Sequence, residues 1–351
     1  MTFKMDIKSV EKLENSKMRI ERVDISNKEK TFSIKEALVQ SEINYVFLTP
    51  EYLRVIRDTY SYRVFYLTCF RNGDLCGIVS FYEKPGLLKK NVLVSVPGGF
   101  WSTDRLSEKI LIDKLNEIAD NYDLGGPYFG DLFRPLYSLT NPIVMYRSFM
   151  QLPENKESLM GLYAKSIRRN IRAAKKHGLK VMESNELGDF YKVWSQRMRD
   201  LGTPVIPSAF FMNMKRVFKD DMALLLVKKE GKCIGGVVLL QFNNVVMDPY
   251  VGCLSETFKY CPNPLRYHEM LSWALDRGYE YFDLGRSQPS SGNERFKLRF
   301  GAKLKPLYSY SPDRLHINSP LRKISTSCWK RLPLFMANYL GPKIRRYVPF
   351  G

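Results

Sequence analysis

Three histidines in 351 residues, at His177, His268 and His316, are too few and too widely spaced to build a zinc site, and no metal is expected. Cysteine is also sparse. The six that occur (Cys69, Cys76, Cys233, Cys253, Cys261 and Cys328) include no C-x-x-C pair, and a chain of this length needs no covalent stapling, so they read as reduced, mostly buried thiols. No apolar run approaches the length of a bilayer span, and the opening MTFKMDIKSVEKLE is charged throughout and lacks the apolar core of a secretory signal. A cytoplasmic location is the expectation. The remaining shortage is of acid: 36 Asp+Glu stand against 55 Lys+Arg, a formal net charge of +19.

That imbalance is local. Residues 1–150 hold 21 basic and 19 acidic side chains, whereas 151–351 hold 34 and 17. Residues 165–180 contribute seven cations and no acid, and 321–351 another seven and none. Such clusters attract polyanions, whether RNA, a nucleotide sugar or an anionic membrane surface. With 44% hydrophobic and 13% aromatic residues the chain can bury one large core or two ordinary ones, and two domains are the default.

Residues 1–40 are polar with weak periodicity and read as an edge strand or a mobile lead-in. A short helix follows within Glu42–Tyr60. Arg63–Tyr82 is a hairpin, two alternating β-rich runs joined at Asn72-Gly73, where positive φ is cheap. Asn91–Val96 is a strand, Ser102–Asn121 a helix with Leu106, Ile110, Leu111, Leu115 and Ile118 at helical spacing, and Leu124–Phe133 a further strand. The order then recurs. Met222–Phe242 is a second hairpin, with Gly231 and Gly235 matching the spacing of Gly73 and Gly77; Asn244–Val251, Leu265–Arg277 and Tyr279–Leu284 repeat the strand, helix and strand. An offset of about 155 residues between copies argues for duplication of one α/β unit.

Between the copies, Ile167, Ile171 and Ala174 mark the buried stripe of a helix ended by Gly178, while Lys165, Arg168, Arg169, Arg172, Lys175 and Lys176 crowd its other faces. Without acids four residues away these cations repel one another unless an anion is bound, although a solvated face is the plain alternative. In the tail, Leu332, Phe335, Met336, Tyr339 and Leu340 fall on one helical stripe bracketed by Lys330, Arg331, Lys343, Arg345 and Arg346, with Gly341-Pro342 expected to stop the helix. It reads either as an amphipathic segment lying on an anionic membrane or as a helix packed on the second domain.

The stretch that organises the chain is Tyr279–Tyr310. A strand brings Asp283 and Arg286 to its carboxyl end, Gly285 breaks it into a polar loop, and Lys297 follows between Phe296 and Phe300 before a last strand, Leu307–Tyr310. An ordinary hairpin with a long surface loop is the alternative. Arg286 suits a phosphate or carboxylate, because its planar fork binds anions in bidentate fashion. Asp283, Asp248 and His268 are possible proton acceptors, each with a structural alternative: a loop cap, a turn before Pro249, and an amphipathic helix face.

The runs KSIRRNIRAAKKHGLKV (165–181), PNPLRYHEMLSWALDRGYEYFDLGRS (262–287) and ERFKLRFGAKLKPLYSY (294–310) together resemble the FemAB-like transferases. The resemblance extends to the branch found in exopolysaccharide and exosortase gene clusters, through Phe282–Ser287, Phe296–Gly301 and the W-x-x-L-P of Trp329–Pro333. It implies an α/β fold of two tandem GNAT-like (acyl-CoA N-acyltransferase) domains, here 1–150 and 151–318, plus a basic amphipathic tail over 319–351. It also implies acyl transfer to an amine, with an aminoacyl-tRNA or an acyl-CoA as donor substrate and no tightly bound cofactor. Lys297 matches the family's lysine and would stabilise an oxyanion or the leaving group, with Asp283 beside it as a catalytic candidate. Ser287, Phe296 and Asn263, in the matched blocks, would line the substrate site with Arg286, while Arg168, Arg169 and Arg172 would hold nucleotide or RNA phosphate. The pyrophosphate loop of a CoA-using member would fall near Glu256–Pro264, where SETFKYCPNP carries no glycine, and the coiled-coil arm of some members has no room between Gly178 and Leu201.

The resulting expectation is an N-acyl or aminoacyl transferase acting on an amine of a cell-envelope glycan, a peptidoglycan precursor or an exopolysaccharide. Its acceptor would be a nucleotide sugar or lipid-linked glycan, and the tail would touch the inner face of the membrane. Two alternatives stay open: a non-catalytic RNA- or polysaccharide-binding protein on the same scaffold, and an acetyl-CoA-dependent acetyltransferase of small amines.

Overall fold

Two hairpins with the same turn chemistry dominate the architecture. The computed structural model describes residues 18–40, 45–85, 91–118, 122–123, 143–309 and 326–347, and the chain divides into two compact units whose main boundary falls between Ile143 and Val144. The lead-in before Met18 and the strand expected over 124–133 lie outside the described residues.

In the first unit, β1 (Met18–Asp24), β2 (Arg63–Arg71), β3 (Asp74–Pro85), β4 (Asn91–Ser102) and β5 (Tyr122–Asp123) form a sheet in that order. All neighbours are antiparallel except β4 and β5. Asn72 and Gly73 turn the hairpin with φ of 55° and 100°, the left-handed pair that matches strand twist. Helices α1 (Lys28–Gln40), α2 (Pro50–Tyr60) and α3 (Arg105–Ile118) accompany the sheet. Thr49 caps α2 by accepting from the Tyr52 N–H, Pro50 opens it and left-handed Ser61 closes it. Against the expected strand or lead-in, residues 28–40 are helical: only Thr31, Ile34 and Leu38 are buried, a stripe too thin to announce itself. The core gathers Phe65, Phe81, Phe100, Leu111 and Leu115.

The second unit repeats the plan on a larger scale. Its strands β6 (Ile143–Gln151), β7 (Leu179–Glu183), β8 (Met222–Lys229), β9 (Lys232–Phe242), β10 (Val245–Cys253), β11 (Tyr281–Ser287) and β12 (Lys303–Ser309) are ordered β12-β6-β11-β10-β9-β8-β7. Its helices are α4 (Lys156–Leu162), α5 (Lys165–Lys176), α6 (Leu187–Leu201), α7 (Ser208–Phe218), α8 (Pro262–Asp276), α9 (Gly292–Leu298) and α10 (Leu334–Arg345). The β8–β9 turn again uses left-handed residues, Glu230 and Gly231. Both hairpins slip register one pair before Gly77 or Gly235, between Cys69 and Phe70 and between Val227 and Lys228. In both units the strand after the hairpin runs parallel to the strand after the next helix, β4 with β5 and β10 with β11. The duplication inferred from spacing is therefore present in turn, bulge and ladder.

Two expectations are corrected, the first domain boundary and the stop of the last helix. The boundary at 150/151 would cut β6 from its own sheet; β6 is hydrogen-bonded beside β11, with Phe282 opposite Met150, so it belongs to the second unit. Of the two readings of the tail, the described part shows the packed one: Arg199 of α6 donates to the Leu332 carbonyl at 3.1 Å and Gly341 lies against Val205. Helix α10 also runs through Pro342 to Arg345 instead of stopping at Gly341-Pro342.

Gly235 and Gly77 are fixed by contact. A Cβ at Gly235 would collide with Cys253 Sγ and lie 3.1 Å from the Gly252 carbonyl, and one at Gly77 would lie 2.7 Å from Leu111 Cδ1. Gly188, in the first turn of α6, has nothing within 4 Å of such an atom. Denaturant unfolding should therefore show Gly235→Ala destabilised by about 1–3 kcal/mol from overpacking, and Gly188→Ala unchanged or stabilised by up to about 1 kcal/mol.

Candidate active site

Parallel strands β10 and β11 pair over only three positions, ending at Met247 with Asp283. At that level each strand bulges against its outer neighbour, β10 between Met247 and Tyr250 and β11 between Asp283 and Arg286. The causes are local. Pro249 has no N–H to give a ladder, and Gly285 takes a φ of 70° that side chains disfavour. The chain thus turns Asp248 and the 283–287 segment out of regular pairing in the middle of the sheet.

Helix α9 follows at once. Ser291 Oγ accepts from the Glu294 N–H at 3.1 Å, while the Glu294 carboxylate accepts from the Ser290 N–H at 3.2 Å, a reciprocal cap that starts a helix where a loop was expected. One turn later Lys297 is 3% exposed and donates from Nζ to the Arg286 carbonyl at 3.0 Å. Burial pulls the Lys297 ammonium below its ordinary pKa, and the Asp248 and Asp283 carboxylates pull it back up. Burial pushes the Asp248 carboxyl up to about 7, opposed by Lys297 and Arg266. Asp248 Oδ1 has no hydrogen-bond partner, nor has Nε of buried Arg266, whose Nη1 reaches the Gly236 carbonyl at 3.5 Å.

Asp283 is differently placed. Its Oδ2 receives Arg147 Nε at 2.6 Å, both side chains almost wholly excluded from water, and its Oδ1 accepts the Gly285 N–H at 2.9 Å. With both oxygens bound, it fixes the bulge; the carboxylate with an open oxygen is Asp248. The guanidinium of half-buried Arg286 has no ion-pair partner among the described residues, and Ser287 accepts from Asn293 at 3.4 Å. Phe296 packs edge-on to Tyr267 and beside Phe300, in an aromatic cluster that includes Tyr163. His268 is enclosed there, its Nδ1 3.4 Å from the Tyr163 hydroxyl and its pKa lowered by burial.

Asn263 lies half-buried in the first turn of α8 and is not hydrogen-bonded to this cluster, and Arg169 and Arg172 are exposed on α5 with Arg168 half-buried. Ile167, Ile171 and Ala174 are buried as expected. One of the α5 cations does find an acid: Lys175 pairs with Glu269 of α8 at 3.2 Å, a contact between helices that residue spacing within one helix does not show. The N–H of Ala164, at the start of α5, donates to the Arg299 carbonyl just after α9, tying the basic helix to the lysine-bearing one. A cavity of about 870 Å³ between α1 and α2 in the first unit holds none of the expected site residues.

Acyl-CoA is the donor the fold brings to mind, and the first turn of α8 is where its pyrophosphate would need backbone donors. Two of the first three positions, Pro262 and Pro264, have none, and residues 255–260 are coiled into a 3-10 helix. The turn fits that group poorly.

Arg147, Arg266 and the open state of Asp248 were not anticipated from sequence. The available signal was a charged side chain inside an apolar run: Asp248 within VVMDPY and Arg266 on an otherwise buried helix face.

The site makes two measurable demands. Arg147→Met leaves Asp283 buried without its cation, and unfolding should cost about 3–5 kcal/mol less than in the parent; Arg147→Met with Asp283→Leu should recover a large part of that loss. For Asp248, the folded carboxyl binds its proton more tightly than the unfolded one, so parent stability falls as pH rises from the ordinary 3.8 toward about 7. Asp248→Asn lacks that loss, and its stability relative to the parent should rise between pH 4 and pH 8 by up to about 4 kcal/mol at 1.36 kcal/mol per unit.

A family model described as an acetyltransferase (GNAT) domain matches residues 163–298. The UDP-N-acetylmuramoylpentapeptide-lysine N(6)-alanyltransferase of Weissella viridescens is 25% identical over 154 residues, 43% of this chain and 45% of that protein; the chain thus matches less than half the length of this curated relative. Among solved structures, FemX is 15% identical with a TM-score of 0.59, covering 87% of this chain and all of that one. A tandem GNAT protein from the clavulanic acid biosynthesis pathway is 8% identical with a TM-score of 0.52, covering 84% and 99%. These likenesses show the fold: a doubled α/β plan of the GNAT type, with an acetyltransferase (GNAT) domain matched over residues 163–298.

Proposed function

We propose that the chain is an aminoacyltransferase that moves an aminoacyl group from an RNA ester to an amine of a cell-envelope precursor, working at the inner face of the membrane. The observation that carries this reading is Lys297, buried at the bulged ends of β10 and β11 beside the open carboxylate of Asp248. The alanyltransferase of Weissella viridescens supports the reaction class. The proline-filled first turn of α8 supports an RNA ester over acyl-CoA, and exposed Arg169 and Arg172 offer cations to RNA phosphate. Arg286 offers its unpaired guanidinium to an anionic group of the acceptor.

In the proposed reaction the neutral acceptor amine attacks the ester carbonyl, a C–N bond forms and the carbonyl oxygen becomes an oxyanion. The Lys297 ammonium stabilises that charge or the charge on the departing ribose oxygen. As the C–O bond breaks, the proton lost by the attacking nitrogen ends on the ribose hydroxyl. The Asp248 carboxylate opposes the burial that lowers the Lys297 pKa. The finer acceptor class follows the resemblance to the exopolysaccharide-associated branch: an amino sugar or peptide amine on a nucleotide-linked or lipid-linked glycan.

Lys297→Met should lower single-turnover transfer from a mixed aminoacyl-tRNA pool to amine acceptors by at least about 100-fold, the loss typical of one oxyanion donor. Thermal unfolding and ultraviolet circular dichroism check that the variant folds. Equal turnover by the variant, or robust transfer from acyl-CoA with none from aminoacyl-tRNA, removes the reading.

A further inference from the structure

Helix α10 is packed the wrong way round for an ordinary amphipathic helix. Its buried face is Ala337, Gly341 and Arg345, four residues apart, and most of its largest apolar side chains are exposed: Phe335 is 74% exposed and Tyr339 65%, with Met336, Ile344 and, just beyond the helix, Tyr347 also exposed, while Leu334 and Leu340 are half-buried. Gly341 explains how. A Cβ there would lie 2.8 Å from the Val205 backbone nitrogen, so only glycine lets the helix backbone settle on the 202–207 segment, and Arg199 pins the preceding loop by its bond to Leu332. Of the apolar stripe read from the sequence, Phe335, Met336 and Tyr339 are presented to solvent, while Leu332 and Leu340 are half-buried.

Among the described residues of the tail, the charges that flank that stripe are all positive. Exposed Lys330, Arg331, Lys343 and Arg346 flank it, and no acidic residue occurs from 321 to 351. Lys343 Nζ lies 3.8 Å from the centre of the Tyr339 ring, so cation and aromatic form one surface. On α6, against which α10 packs, Asp200 is neutralised by Arg199 at 2.9 Å. No described helix is long and apolar enough to cross a membrane.

We propose that the outer face of α10 is a docking surface for an anionic lipid bilayer, with Phe335, Met336 and Tyr339 entering the headgroup boundary and Lys330, Arg331, Lys343 and Arg346 contacting lipid phosphates. Aromatic and methionine side chains that would otherwise stay in water gain an apolar environment, and each nearby cation adds electrostatic attraction. The surface fits an interfacial helix because its apolar face is held outward by a rigid base and needs no folding on contact. It rests on the reading that the chain works at a membrane, and names the contact; the Lys297 chemistry stands or falls separately.

The test is sedimentation of the full chain with vesicles of phosphatidylcholine alone or with about 30 mol % phosphatidylglycerol, at low and high salt. Binding is expected to the anionic vesicles and to weaken with salt. Phe335→Ser with Tyr339→Ser should reduce it at least about tenfold, and Gln at Lys330, Arg331, Lys343 and Arg346 should reduce it by more, since each basic residue near the surface contributes about fivefold. Phe335→Trp should show blue-shifted emission and quenching by brominated lipid. Turnover on a water-soluble amine should be unchanged in all of these. The proposal is overturned if the parent does not bind anionic vesicles, if the emission gained by Phe335→Trp stays unshifted while the protein sediments, or if the surface variants abolish RNA binding or self-association and leave vesicle binding intact.

Discussion

The ion pair between Arg147 and Asp283 is the contact on which the second unit's site depends. Two unit charges 2.6 Å apart and almost wholly dry attract strongly, but each has lost its hydration, so the pair is a costly way to join β6 to β11. What it secures is geometry. Asp283 commits its second oxygen to the Gly285 N–H, which holds a left-handed glycine in place, breaks the β11 ladder and aims the Arg286 carbonyl at Lys297. An apolar pair of the same volume would pack β6 on β11 equally well and would leave the bulge undetermined.

The same logic explains why Lys297 and Asp248 tolerate burial. Taken singly, each would shed its charge: the ammonium is shifted down and the carboxyl up, both chiefly by desolvation. Together they oppose those shifts. Burial disfavours the charge on Lys297, the Asp248 and Asp283 carboxylates oppose that shift, and a charge in a dry place acts on a developing oxyanion with little screening. The site is thus a local loss of stability held by its neighbours, a pattern suited to chemistry rather than to packing.

Elements with strong periodicity or unambiguous turns were legible in the sequence. Both hairpins, their Gly73 and Gly231 turns, the Ile167–Ile171–Ala174 stripe and the duplicated order all follow from local rules. Helix α1 was not legible, because a polar helix with three buried residues has almost no period to read, and α9 was hidden because Ser, Gly and Asn spell a loop until Glu294 closes the cap. The site was half legible: Lys297, Arg286 and Asp283 lie within about fifteen residues of one another in the chain. Arg147, Asp248 and Arg266 come from β6, β10 and α8, and only the sheet order brings them to one place. Asp248 in particular reads as a turn residue before proline, and the turn is in fact a bulge inside a buried strand.

The tail shows how a sequence pattern and a packing arrangement answer different questions. A stripe of large apolar side chains on a helix normally identifies the face that meets the core. On α10 the core is met instead by Ala337 and Gly341, because two backbones approaching as closely as Gly341 and Val205 leave no space for a leucine or phenylalanine. Small residues inside and large ones outside reverse the usual pattern of burial, and relative to an ordinarily packed helix the isolated chain forgoes the transfer free energy of every exposed ring. A fold keeps such an arrangement when the rings have somewhere else to go. With cations on their flanks and no acid in the surrounding sequence, the environment that offsets the cost is apolar within and negatively charged at its surface.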